Sequence, residues 1–462
     1  METDLIKLSE DFQLNLKGLR ELLKLPERFE KKAQDISKKH DAVMLPPYIK
    51  YLEEKINTLK GKKNQERVEK MKKVLAVKIA RYKELCPENI DENGKLKISI
   101  GKTYFESISK KKFFQEEEQL EESLLHKIHI EKAVLFNLIC YLEKILADTS
   151  HLILKAHPEI LQLQKKQICF SDLIKFASLE EARDDLINQE IEKLLFSSMS
   201  SFFDFFEKEI FKIEIPNLVK FKRNIVEVKE RRNLLVHNGG KINQKYLNVV
   251  DAELLKEYGA EKEKEVKLEK NYLLDAIKIF ELIGLEVIFM TGLKFKKEKE
   301  LVGDAAVTII YESIKNRDFF LAENLSIFLI DGCCSKYLVD LQKDYCKLNF
   351  WLTLKLQKKL DLTSSEIVKY DVTSKSNLIK LAYFTLIEDY EKAAEYILPS
   401  LNGEKNFTLF SYNDFPILKD LRGQKKAQNL IKEYKRNEEY KKGRETHRAT
   451  GKVVKTEVKT KK

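Results

Sequence analysis

An arginine, an asparagine and a histidine near the middle of the chain are residue types that phosphodiester chemistry uses. Arg232, Asn233 and His237 all lie in the stretch ERRNLLVHNGG at 230–240. A guanidinium group binds phosphate through its charge and its forked donors, and an imidazole transfers protons near neutral pH. Together, these side chains are suited to bind and cleave a phosphodiester without a metal ion.

A helical wheel places the three residues together. At about 100° per residue, Arg232, Asn233 and His237 share one arc of a helix, and Val236 lies between them. The adjacent Arg231 falls on the opposite side, between two leucines that face a core. The pattern therefore selects Arg232 over Arg231 as the functional arginine.

Two acidic residues precede the arginines on the same predicted helix. Glu227 and Glu230 are placed to orient Arg231 or Arg232. We expect them to form solvent-exposed salt bridges instead, since most intrahelical ion pairs lie at the surface and contribute little.

The residues that follow His237 predict where the helix ends. Asn-Gly-Gly at 238–240 is a strong helix stop, so His237 should lie in the last turn. Unpaired carbonyl groups and the negative end of the helix dipole stabilise an imidazolium there. This placement favours His237 as a general acid, and a role as a base stays open. Arginine-x4-histidine spacing also arises often by chance, so its context has to support it.

Composition predicts an all-α protein. Glycine (15) and proline (8) are scarce among 462 residues, and 43% of residues are hydrophobic, enough for several buried cores. The net charge is +11, but residues 436–462 alone carry ten basic and four acidic side chains. The remaining chain is close to balanced, so the motif, rather than bulk charge, indicates a nucleic acid partner.

Hydrophobic periodicity divides the chain into four regions. The first, 1–115, has the pattern of a helical hairpin, with a turn near 60–63 and one short strand over 95–100. The second, 116–295, predicts a bundle of four main helices, at 116–146, 179–211, 216–237 and 270–292. The third, 300–435, is helical, and the fourth, 436–462, is a basic tail without apolar periodicity that we expect to be disordered.

One junction in the third region has a repeat-like pattern. The run LIEDYEKAAEY at 386–396, followed by Pro399, resembles a tetratricopeptide repeat with a small alanine at its close-packed crossing. A generic pair of helices explains the run nearly as well, and both interpretations stay open.

No segment has the pattern of a membrane span or a secretion signal. The most apolar stretch, 272–293, contains Asp275, Lys278, Glu281 and Glu286, which is typical of a core helix. We therefore expect a soluble, cytoplasmic protein without a membrane partner.

Other chemistry-bearing patterns are weaker. His126 and His129 have the spacing of a metal-binding pair, but neighbouring charges indicate a surface turn. The phenylalanine-rich run 202–206 has rings that could stack on RNA bases, although burial in a bundle explains it better. Phosphate-binding loops, dinucleotide fingerprints and paired-cysteine motifs are absent from the sequence, so we expect neither a cofactor nor a metal.

With these residues in view, 116–295 resembles the HEPN superfamily, whose signature is an arginine, four to six residues and a histidine at a helix end. The form ERRNLLVHNGGKINQKYL, with Tyr246 after the histidine, is most similar to HEPN proteins of bacterial anti-phage and abortive-infection systems. The C-terminal region is loosely similar to helical extensions of such proteins, and residues 1–115 are not covered.

The resemblance implies a metal-independent endoribonuclease that acts as a homodimer, with two motif copies lining one cleft. It implies that His237 performs acid–base catalysis, Arg232 holds the phosphate and Asn233 hydrogen-bonds within the cleft. RNA is then the substrate, and a separate phage-derived trigger or antitoxin a further partner. Because some HEPN domains are not catalytic, the alternative is a silent scaffold that binds RNA or a protein.

Overall fold

The computed structural model describes residues 2–29, 65–87, 102–161, 168–295, 299–330, 334–361 and 364–439, with isolated helical positions between 31 and 56. This part of the chain is all-α, as the composition predicts, and its one β-type pairing is an isolated antiparallel bridge between Lys241 and Glu265. The predicted turn at 60–63, the predicted strand at 95–100 and nearly all of the basic tail lie outside the described residues.

The helices vary widely in length. They are α1 Glu2–Leu22, α2 Gln65–Leu85, α3 Lys102–Ala156, α4 Phe170–Leu173, α5 Leu179–Phe196, α6 Met199–Asp204, α7 Pro216–His237, α8 Gln244–Val249, α9 Ala252–Glu257, α10 Lys270–Phe295, α11 Lys299–Lys315, α12 Phe319–Ile330, α13 Asp340–Leu356, α14 Ser365–Val368, α15 Asn377–Leu386, α16 Tyr390–Glu395, α17 Ile397–Gly403, α18 Leu409–Asp414 and α19 over 425–439. A π-helical turn, Phe205–Phe211, follows α6.

The prediction of a single helix over 179–211 is wrong. The structure has α5, α6 and the π-helical turn in this range. The chain is extended at Ser197, and the Ser198 side chain accepts a hydrogen bond from the backbone of Ser201, which starts α6. The π-helical turn then ends at Lys212 in a left-handed conformation, φ 56°. Serine side chains that compete for backbone groups account for the break after α5.

The chain forms two compact units, each assembled from distant stretches of sequence. The large unit comprises Met1–Gln13, Leu142–Val226 and Lys278–Lys462, and the motif unit comprises Leu14–Tyr141 and Glu227–Ile277. The predicted domain boundaries, at 115/116 and 295/300, stay a prediction.

The core of the large unit surrounds the second half of α10. Nearly every side chain from Phe280 to Leu293 is buried, and the acidic residues Glu281 and Glu286 are buried with them. The amide of Asn217 donates to Glu286 Oε1 at 2.5 Å, so this carboxylate has a polar partner inside the core. The part of the chain that the structure describes contains no helix long and apolar enough to cross a membrane.

In the large unit, α11 packs on α12, α12 on α13, α13 on α15, α15 on α16 and α16 on α17. Between α15 and α16 the chain turns at Glu388, φ 66°, and Asp389 caps α16 by accepting from the backbone of Lys392. The small side chains of Ala393 and Ala394 are buried in the crossing. A helix–turn–helix with a small-residue contact is therefore present, although α16 and α17 are shorter than one continuous repeat helix.

Within the motif unit, α3 changes character along its length. Val134, Leu135 and Leu138 are buried, whereas Leu124, Leu125 and Ile128 are about half exposed. A second apolar cluster packs beside the end of α7. It comprises Leu234, Ile242, Tyr246, Val250 and Leu254. This cluster supports the segment in which the candidate residues lie.

We predict that Gly284→Ala destabilises the protein. A Cβ atom at this position of α10 would lie 2.3 Å from a ring carbon of the buried Phe12. Forcing a methyl group into such packing costs about 1–3 kcal/mol. Gly18→Ala is the control: its Cβ meets open space in α1, and the change should stabilise the helix by up to about 1 kcal/mol. Equal urea-denaturation midpoints for the two variants would contradict this packing.

Candidate active site

The candidate residues lie at the end of α7, hereafter the motif helix. It ends at His237, as the Asn-Gly-Gly stop predicts. The backbone amides of Asn238 and Gly240 both donate to the Leu234 carbonyl, at 2.8 and 3.0 Å. Gly239 (φ 60°) and Gly240 (φ 82°) adopt left-handed conformations that a side chain would strain. The glycine pair therefore turns the chain away immediately after His237.

Arg232, Asn233 and His237 form an arc on the outer side of the motif helix, hereafter the motif arc. Arg232 Nη1 donates to Asn233 Oδ1 at 3.1 Å, and Asn233 Nδ2 donates to Glu230 Oε1 at 3.3 Å. Arg232 and Asn233 are partly buried, and His237 is exposed. The His237 imidazole makes no hydrogen bond or ion pair to the described part of the chain.

The partner of Arg232 matters for phosphate binding. Its guanidinium is oriented by a neutral amide, and no salt bridge to it is seen in the described chain. An amide restricts the side chain without neutralising its charge, so a phosphate oxygen would not have to displace a carboxylate. Asn233 thus links the arginine to Glu230 through two hydrogen bonds.

Arg231 lies on the inner side of the motif helix, as the wheel predicts, and only 4% of it is exposed. Its Nε donates to Glu227 Oε1 at 2.7 Å, and its Nη1 donates to the Lys267 carbonyl at 2.7 Å. The guanidinium carbon lies 3.9 Å from the ring centre of Tyr272 and 4.6 Å from that of Tyr258. Arg231 is therefore fixed by polar and cation–π contacts and cannot reach a ligand.

Glu227 corrects a sequence expectation. We expected a solvated salt bridge, but the residue is 1% exposed and accepts three side-chain hydrogen bonds. Besides Arg231, Tyr246 donates to Oε1 at 2.6 Å and Tyr272 donates to Oε2 at 2.8 Å. Glu227, Arg231, Tyr246, Tyr258 and Tyr272 are hereafter the motif network. The sequence did contain a signal for this burial. Glu227 lies four residues before Arg231, on the face of the helix that carries the two leucines.

Burial and charge act together on the ionisable groups of the motif network. Burial, reinforced by the Glu227 carboxylate, raises the pKa of Tyr246 and Tyr272 well above the ordinary value, and the pKa of Tyr258 to about 12. Burial opposes the charge of Arg231, but Tyr272, Glu227 and Tyr246 outweigh it, so its pKa is raised. At neutral pH all three phenols are therefore neutral, and those of Tyr246 and Tyr272 donate to the carboxylate beside a charged guanidinium.

A backbone connection holds the turn after the motif helix. The Val266 amide donates to the Gly240 carbonyl at 2.9 Å, and the Ile242 amide donates to the Lys264 carbonyl at 2.9 Å. The same extended segment supplies the Lys267 carbonyl that accepts from Arg231. Both the inner face of the motif helix and its terminal turn are thus attached to residues 264–267.

A cleft of about 730 Å³ in the motif unit borders the glycine turn. Leu235, Gly239 and Gly240 contribute to its wall, together with four lysines and four glutamates. Two of the lysines pair with glutamates of the same wall, Lys270 with Glu27 and Lys127 with Glu131. The lining has no net charge, so its electrostatics do not favour RNA over other ligands.

Two other predicted patterns have structural explanations. His126 and His129 are exposed on α3, and the His126 ring packs against Phe29 with centroids 5.3 Å apart. The phenylalanines at 202, 203, 205 and 206 are buried, which confirms the core interpretation of that run and leaves them unable to stack on RNA bases.

No family model matches this chain, and no match was found among curated proteins or solved structures. The assignment of function therefore depends on the motif arc and the motif network.

We predict that the protein loses stability in alkali partly through Tyr246. The phenol of a tyrosine in the unfolded chain has a pKa of about 10. Folded Tyr246 keeps its proton to higher pH because burial and Glu227 raise its pKa. Above about pH 10 the folded state then binds more protons, so the free energy of unfolding falls as pH rises, by at most about 1.4 kcal/mol per pH unit. Tyr246→Phe should flatten this decline.

Urea unfolding at pH 9, 10 and 11 measures the effect. Tyr434→Phe is the control, since it removes a phenol outside the motif network. A slope for Tyr246→Phe as steep as that of wild type would contradict the alkaline role of this phenol.

Proposed function

We propose that this protein is a metal-independent endoribonuclease of the HEPN type that acts in bacterial anti-phage defence. The observation that carries the proposal is the division of two adjacent arginines. Arg231 is buried in the motif network, and Arg232 lies outside beside Asn233 and His237. A phosphate-binding side chain and a proton-transferring side chain thereby lie on the same face at the end of the motif helix. The motif network fixes the opposite face of that helix.

Arg232 would bind the scissile phosphate. Its guanidinium offers forked donors to two phosphate oxygens and stabilises the charge that develops on them during the reaction. Asn233 would orient this guanidinium through the hydrogen bond at 3.1 Å. The exposure of His237 leaves its imidazole accessible to a strand that reaches Arg232.

The reaction is an internal transfer. The ribose 2′-hydroxyl attacks phosphorus and gives its proton to a base, the bond from phosphorus to the 5′-oxygen breaks, and an acid protonates the leaving oxygen. The products are a 2′,3′-cyclic phosphate and a 5′-hydroxyl end. Because the nucleophile is the 2′-hydroxyl, DNA would not be cleaved. His237 would serve as acid or base, and a second copy of the chain would supply the other imidazole.

Two copies would pair through the motif arc. The exposed Val236 lies between Arg232 and His237 and gives this face an apolar contact. Pairing around it would place two arginines and two histidines along one cleft, excluding water from the reacting phosphate. The HEPN resemblance is the reason to prefer this arrangement over a site built from one chain.

We predict that His237→Ala and Arg232→Ala each lower RNA cleavage by at least about 100-fold, the usual contribution of an acid–base or charge-stabilising group. The assay uses purified protein in chelator, with the product ends identified. His129→Ala, which removes another exposed histidine, should cleave at the wild-type rate.

The outcomes separate the candidate functions. Wild-type cleavage that leaves cyclic phosphates and requires His237 supports the nuclease. RNA binding without cleavage, retained in the variants, would support a silent scaffold. Equal cleavage by wild type and His237→Ala would place the activity elsewhere.

We predict that Val236→Glu prevents dimer formation. Two glutamates facing each other across a paired motif arc would repel and lose the apolar contact. Val249→Glu is a matched control, because both valines are 47% exposed and Val249 lies outside the arc. Light scattering coupled to size exclusion reports the mass. A dimer that persists in Val236→Glu would argue against pairing through this face.

A further inference from the structure

We infer that Glu227 is a positioning residue of the active site: through Arg231, Tyr246 and Tyr272 it sets the orientation of the motif arc. This inference rests on the proposed nuclease function. Glu227 contacts no substrate in this scheme. It acts through the rotation and the last turns of the motif helix.

The first argument is convergence. Glu227 receives donors from three places in the chain: its own helix, helix α8 and the start of α10. Oε1 accepts from Arg231 and Tyr246, and Oε2 accepts from Tyr272. A carboxylate with both oxygens engaged has one favourable orientation. The helix that carries it is then fixed relative to two neighbouring segments.

The second argument concerns the neighbouring arginines. Consecutive residues of a helix point about 100° apart, so fixing the Arg231 side chain fixes the direction in which Arg232 leaves the helix. The Arg231 guanidinium donates to Glu227 and to the Lys267 carbonyl, and it also contacts the rings of Tyr258 and Tyr272. Rotation of the helix would break all of these contacts together.

The third argument is energetic. Burying a carboxylate and a guanidinium carries a large desolvation cost, and apolar residues of similar volume often stabilise a core equally well. Apolar packing, however, tolerates small rotations and shifts, whereas four directional hydrogen bonds do not. The motif network therefore adds orientation beyond the stability that an apolar core would provide.

The experiment compares two phenols that donate to buried carboxylates. Tyr246→Phe removes the 2.6 Å bond to Glu227, and Tyr370→Phe removes a 2.6 Å bond to Asp344 in the large unit. Asp344 is also buried and also has a cationic partner, Lys375 at 2.8 Å. Both variants should lose similar stability. Only Tyr246→Phe should lower kcat, by about tenfold or more, because misplaced catalytic groups slow the chemical step. Its KM should change less than twofold.

A second readout does not depend on cleavage. The imidazole signals of the seven histidines are resolved by carbon-labelled NMR, and His237 is assigned by its loss in His237→Ala. Tyr246→Phe and Glu227→Gln should shift or broaden the His237 signal, whereas Tyr370→Phe should leave it unchanged. If Glu227→Gln does not fold, Tyr246→Phe and Tyr272→Phe carry the comparison.

The outcomes distinguish the two proposals. If wild type does not cleave RNA, the nuclease proposal fails, and the His237 signal alone decides whether the network positions the arc. If Tyr246→Phe and Tyr370→Phe lose kcat to the same extent for the same fall in melting temperature, the positioning role is overturned. The nuclease proposal would be unaffected by that result. An unchanged His237 signal in Tyr246→Phe and Glu227→Gln would overturn it as well.

Discussion

The buried ion pair between Glu227 and Arg231 is the contact on which the candidate site depends. Two charges taken out of water persist only if each remaining donor and acceptor finds a partner. Here two phenols donate to the carboxylate, and the guanidinium donates to a backbone carbonyl and contacts two aromatic rings. These partners come from residues 246–272, so the loop after the motif helix has to fold onto it before the pair is stable.

That dependence explains why the segment after the glycine turn is so closely attached. Gly239 and Gly240 reverse the chain, and the bridge between Lys241 and Glu265 brings an extended segment alongside the helix end. The apolar cluster around Leu234 and Tyr246 excludes water from the same region. Exclusion of water strengthens the electrostatic contacts within it, so packing and ion pairing support each other.

In the motif helix, the sequence allowed prediction of the features that depend on helix periodicity and on the local stop signal. The end of the motif helix at His237, the inward direction of Arg231 and the burial of Leu234 all follow from spacing alone. The burial of Glu227 does not, because a wheel gives the direction of a side chain and not what packs against it. Its partners, Tyr246 and Tyr272, lie 19 and 45 residues further along the chain.

The break within 179–211 has a similar origin. Apolar periodicity continues across it, but Ser198 captures a backbone amide and starts a new helix, a local competition that periodicity does not report.

The partners of the two arginines give them different roles. They are adjacent and chemically identical, yet Arg231 donates to a buried carboxylate and to a backbone carbonyl, whereas Arg232 is oriented by a single neutral amide. A carboxylate beside Arg232 would bind it as firmly as Glu227 binds Arg231, and a phosphate would then have to displace that carboxylate. Asn233 avoids this competition while still restricting the side chain. Glu227, on the inner face of the motif helix, therefore binds the arginine that has a structural role. Asn233, on the outer face, leaves the charge of Arg232 available to a ligand.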